Sequence, residues 1–109
     1  MSALAPVTDA TFGTLVRASP KPVLVDYWAD WCAPCRQLTP ILEELAQTYG
    51  SSVTFLSMDT NENTVVPTQQ GVLGLPTIQI FVNGEVVQSF QGGKTKMALA
   101  KILDEYVTA

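Results

Sequence analysis

The chain has 109 residues, which suits a single domain over 1–109, large enough to bury a core without disulfide or metal staples. Apolar residues make up 47% and charged residues 15%, a globular composition outside the disordered class. Six Lys/Arg against ten Asp/Glu leave a net charge of −4, which argues against nucleic acid as the main partner because phosphate binding needs a basic surface.

The chain opens Met1-Ser2-Ala3-Leu4-Ala5-Pro6, with no basic residue before its few apolar ones. No secretory signal is therefore expected, and a cytoplasmic location is. No apolar run is long enough to span a bilayer, so no membrane association is expected. Thr8 reads as the N-cap of a helix over about residues 9–18, with Phe12, Leu15 and Val16 as its apolar face. Ser19-Pro20-Lys21-Pro22 ends it. Val23–Ala29 is nearly continuous in large apolar residues, the pattern of a parallel strand buried on both faces.

Trp31-Cys32-Ala33-Pro34-Cys35 leads into a long helix whose Leu38, Ile41, Leu42, Leu45 and Tyr49 fall on one face. Pro34 stands near its start, where a missing N–H costs nothing. Pro40 is expected to kink it, and Gly50 to cap it. Val53–Met58 reads as a second strand. Residues 63–70 are ambiguous, a short helix perturbed by Pro67. Residues 78–82, Asn83-Gly84 and 85–90 read as a β-hairpin on a type I′ turn. Gly92-Gly93 closes it. A final helix carries Met97, Leu99, Ile102, Leu103 and Tyr106. The early strands need crossovers and so run parallel, and the hairpin adds an antiparallel edge. An α/β fold with one mixed sheet and helices on both faces satisfies this order.

The chemistry concentrates at the two cysteines. The chain contains no histidine, which removes Ser-His and Cys-His nucleophiles and every imidazole metal site. Two cysteines cannot supply a four-ligand zinc site within one chain, so no metal is expected. Cys32 falls at or next to a helix N-cap, where free N–H groups and the helix dipole favour an anion. A thiol there has a lowered pKa, and the thiolate is the reactive form. Cys35 lies one turn in, on the same face and less exposed. The spacing suggests an attacking and a resolving sulfur. The plain alternative is a structural disulfide, which so short a loop makes worth only about 2 kcal/mol. Half of a metal site shared between chains is another.

Asp26 is the odd residue on the buried strand. Desolvation should raise its pKa. It reads as an acid/base for the deeper Cys35, or else as a buried polar group bonded to backbone. Trp28 should pack as core beneath the site, and Trp31 should shield the nucleophile and serve as a docking platform. Leu75-Pro76 reads by itself as an ordinary trans turn proline.

These residues carry a family resemblance. VLVDYWADWCAPC over Val23–Cys35, Pro40-Ile41-Leu42, Gly74-Leu75-Pro76-Thr77, Phe81–Glu85 and Gly92 make the chain resemble a thioredoxin over nearly its whole length. The resemblance implies the thioredoxin fold and protein-disulfide reduction, with Cys32 as nucleophile, Cys35 as resolver and Asp26 as buried acid/base. It implies a cis Pro76 beside the cysteines. It also implies a substrate groove formed by Leu75 and Pro76 with Trp31, Ala33, Pro34 and Gly92. It implies disulfide-containing substrate proteins, a thioredoxin reductase as electron donor, and no cofactor. A monomer is expected. The chain departs from the family pattern at Ala33, where glycine is usual, and at Phe55, where a lysine usually pairs with the buried aspartate. That change is expected to leave Asp26 without a cation and raise its pKa further. The stretch from Asp59 to Gly71 is also about two residues longer than usual. The alternatives are a specialised isomerase or oxidant acting outside the cytoplasm, and a non-redox binding module with the same fold.

Overall fold

A computed structural model describes residues 4–107. The Met1-Ser2-Ala3 start of the leader reading lies outside the described residues, as do residues 108 and 109. Five strands form one sheet: β1 (Ala5–Pro6), β2 (Val23–Trp28), β3 (Thr54–Asp59), β4 (Thr77–Val82) and β5 (Glu85–Gln91), in the order β1-β3-β2-β4-β5. β1, β3 and β2 are parallel, and β4 and β5 are antiparallel additions. The helices are α1 (Ala33–Tyr49), α2 (Val65–Gln69) and α3 (Lys96–Leu103), followed by a 3₁₀ turn at Asp104–Tyr106.

β2 sits at the centre of the sheet, which is why its residues 23–27 are all buried. Alternation along it divides the core. Leu24 faces Leu38, Leu42 and Leu45 of α1 and Leu99 and Leu103 of α3. Val23, Val25 and Tyr27 face Phe12, Val16 and Val66 on the other side. Helices therefore cover both faces, as the sequence order requires. Each fully buried leucine contributes about 1.5–3 kcal/mol.

The hairpin turn is the one read from Asn83-Gly84: φ is +53° at Asn83 and +81° at Gly84, as a type I′ turn requires. The pairing slips within the hairpin. Ile80 pairs with Gln88 but Phe81 pairs with Val86, so Val87 is the extra residue of a β-bulge.

Several expectations need correction. In the segment over 9–18, Thr8 opens a hydrogen-bonded turn rather than capping a regular helix: its hydroxyl accepts from the Thr11 N–H, and the Thr8 N–H donates to the Thr11 hydroxyl oxygen, while the N-cap of the helical element is Phe12. It then widens into a π-helical turn at Gly13–Arg17, with the Ala18 N–H donating to the Gly13 carbonyl. The wide turn keeps Phe12 and Val16 inside but leaves Leu15 exposed. Met97 is 76% exposed, because it lies two residues from Leu99 and so points away from the Leu99–Leu103 stripe. Pro40 lies inside α1, where the sequence placed it, on the helix's exposed side. Gly50 caps it in a right-handed conformation, φ −63°, so no left-handed turn is used. Pro67 falls in the first turn of α2, where its missing N–H is harmless. β1 was not read from the sequence: a two-residue edge strand containing Pro6 carries no alternation.

Candidate active site

Cys32 is the N-cap of α1, in extended conformation, and its Sγ accepts from the Cys35 N–H at 3.3 Å. A short buried strand followed by a tight turn (Ala29 to Trp31) delivers the chain to that point. The Cys32 N–H closes the turn on the Ala29 carbonyl. Ala33 and Pro34 then fill the first two helical positions, which need no hydrogen-bond donor. The two sulfurs are joined in a disulfide, with the Cα atoms 5.3 Å apart. Cys35 is the deeper of the two, 2% exposed against 4% for Cys32. The bond brings no long loop together. It couples two sulfurs that the helix start already sets side by side.

Ala29, Trp28 and Leu75 pack around the pair. Trp28 packs against the pair, as expected, and is half-buried there rather than fully buried. The Leu75–Pro76 peptide bond is cis, as the resemblance implies and the residues alone do not. The Gly92 N–H donates to the Pro76 carbonyl at 2.8 Å, with Gly92 at φ +89°. That bond ties the turn before β4, whose Leu75 packs on the cysteine pair, to the end of β5.

Asp26 lies on β2 in register with Ser57 of β3 and Ile78 of β4. By alternation its side chain faces the α1 side of the sheet, like Leu24 and Trp28. It is 2% exposed. Its Oδ1 and the Trp28 Nε1 are the buried side-chain polar atoms with no hydrogen-bond partner among the described residues. Burial pushes the Asp26 carboxyl up from 3.8 to about 7. Phe55 occupies the register position opposite Leu24, buried in the same core.

The remaining predicted groove residues split into two flanks. Pro34 lines a cleft of about 360 Å³ with Gln37, Leu38, Ile41, Gly93, Lys94 and Thr95. Gly92 itself is not in that lining; its neighbour Gly93 is. Trp31 lies on the opposite flank, 69% exposed, with its indole N–H donating to the Asn61 side chain at 3.2 Å. Ala33 is exposed between the cysteines. The cleft residues of the β5–α3 loop and Asn61 were not read from the sequence. They lie about 30 to 60 positions from the cysteines, and no local pattern marks them. Among the described residues no cluster of three or more potential metal ligands occurs.

Comparison with known proteins decides the family. The thioredoxin family profile matches residues 3–105. The chain belongs to the thioredoxin family. It is 44% identical to Thioredoxin 1 of Synechococcus elongatus, over 98% of this chain and 100% of that protein. It is 41% identical to Thioredoxin 1 of Nostoc sp., with the same coverage. It is also 40% identical to the chloroplastic M-type thioredoxin of Brassica napus, over 93% of this chain and 57% of that protein. The fold is the thioredoxin fold, and the chain is a thiol–disulfide oxidoreductase whose cysteine pair supports dithiol–disulfide reduction.

Proposed function

We propose that Cys32 and Cys35 run the reduction in fixed roles. In the dithiol form the Cys32 thiolate attacks one sulfur of a substrate disulfide. The substrate S–S bond breaks, and its electron pair leaves on the other substrate sulfur, which takes up a proton. The Cys35 thiol gives its proton to the Asp26 carboxylate and attacks Cys32 Sγ. The first substrate sulfur departs as a thiolate and is protonated. The substrate has gained two electrons, and the chain is left with the Cys32–Cys35 disulfide.

The observation that carries this reading is the Cys35 N–H donating to Cys32 Sγ at the N-cap of α1. The bond and the helix dipole both stabilise negative charge on that sulfur. Among the described residues no hydrogen bond to Cys35 Sγ matches it, and Cys35 lies deeper, which suits a sulfur that reacts second. A carboxyl raised to about 7 is suited to exchange a proton near neutrality. Substrate strands dock over Trp31, Ala33, Pro34, Leu75, Pro76 and Gly92. A thioredoxin reductase returns the two electrons, and the chain works as a monomer in the reducing cytoplasm.

The test is a trapping experiment. Cys35→Ser should accumulate a mixed disulfide with a disulfide-containing protein, located at Cys32 by peptide mass. Cys32→Ser should trap nothing. Equal trapping by the two variants would overturn the assignment of roles.

A further inference from the structure

Trp31 combines an exposed ring with a bonded polar atom. Its ring is largely in solvent, yet its polar atom is fixed. The indole N–H donates to Asn61 Oδ1 at 3.2 Å, and Asn61 Nδ2 donates to Asp30 Oδ1 at 2.9 Å. The indole N–H can only donate and a carboxylate can only accept. A primary amide serves both at once, so the flip of the Asn61 side chain is decided by its two partners. Asn61 is itself held, because its backbone N–H donates to Asp59 Oδ1 at 2.9 Å. Just before it, the Thr60 N–H and hydroxyl both donate to the Trp28 carbonyl, at 2.9 and 3.0 Å. Residues 59–61 are thereby fastened along residues 28–31, ending at the tryptophan that precedes Cys32.

We propose that Asn61 is a positioning residue that holds the Trp31 ring in place for docking protein substrates. The inference deepens the reading of Trp31 as a docking surface and rests on it. An exposed tryptophan free to turn must be ordered each time a substrate binds, and that ordering weakens binding. The amide bridge orders the ring beforehand. A small disulfide that touches only the sulfurs gains nothing from it.

The test uses the full chain and Asn61→Ala, a change at an exposed loop position. Hydrogen exchange of the Trp31 indole N–H, followed by NMR, should accelerate by about 3- to 10-fold, the protection one hydrogen bond supplies. KM for insulin disulfides should rise by about 3- to 10-fold while kcat stays within about 2-fold, the mark of lost binding rather than lost chemistry. The rate with a small aryl disulfide should stay within about 2-fold. Asp30→Asn with Asn61→Asp reverses the direction of one bond and keeps an acceptor for the indole. It should restore both the exchange rate and KM. Unchanged exchange and unchanged KM in Asn61→Ala would overturn the inference, as would an equal loss with the aryl disulfide. Failure of the wild-type chain to reduce insulin would instead overturn the reductase reading and the docking role with it.

Discussion

Replacing Asp26 by asparagine should change how stability depends on pH. In the folded chain the Asp26 carboxyl titrates at about 7 instead of 3.8, because burial disfavours its charge. Below about pH 4 both folded and unfolded chains hold the proton, and the folded state keeps its full advantage. Between about pH 4 and pH 7 the unfolded chain has lost the proton and the folded chain has not. Unfolding then releases a proton, so stability falls as pH rises. Above about pH 7 both are ionised, and no further change comes from this group. A displacement from 3.8 to about 7 corresponds to roughly 4 kcal/mol. Asparagine does not titrate. The stability of Asp26→Asn relative to wild type should therefore rise by about 4 kcal/mol from pH 4 to pH 8. The other carboxyl groups are common to both proteins and cancel. Guanidinium unfolding of the oxidised chains at intervals across that range measures the difference. A difference constant to within about 1 kcal/mol would refute the reasoning, whatever its absolute size.

Two further outcomes follow from the scaffold. Asp9 reaches across the sequence to accept from the N–H groups of Val65 and Val66 at the start of α2, at 3.1 and 2.8 Å. Asp9→Ala should cost about 1–2 kcal/mol in urea unfolding, as loss of a cap does, and an unchanged midpoint would refute that capping. At Gly84, φ is +81° and an added Cβ would stand 2.7 Å from the Arg17 carbonyl oxygen. Gly84→Ala should destabilise by about 1–3 kcal/mol; a thermal midpoint equal to wild type would show that the turn relaxes freely.

Much of the site was legible because its signals are local. The strand Val23–Trp28, the cysteines at the following helix start and the Asn83-Gly84 turn each declare themselves within a few residues. Asp26 was legible for the same reason, as a carboxylate in an apolar run. What escaped depends on distant pairing or on a change of period. The π-helical turn at Gly13–Arg17 breaks the 3.6-residue rule and turns Leu15 outward. Met97 was misread by counting apolar residues on α3 rather than their phase. Asn61 is 30 positions from Trp31, and only the alignment of β3 beside β2 brings them together. The cis bond before Pro76 came from the resemblance alone, since most prolines in that sequence context are trans.

The Cys32–Cys35 pair serves as a protein-disulfide reductant. The most direct test of that role is the reduction potential of the pair, measured by equilibration in defined thiol–disulfide buffers. A value near about −270 mV, the level characteristic of thioredoxin, is expected, and it would make Ala33 and Phe55 tolerated variations. A value near about −180 mV or higher would contradict the account and indicate an isomerase or oxidant.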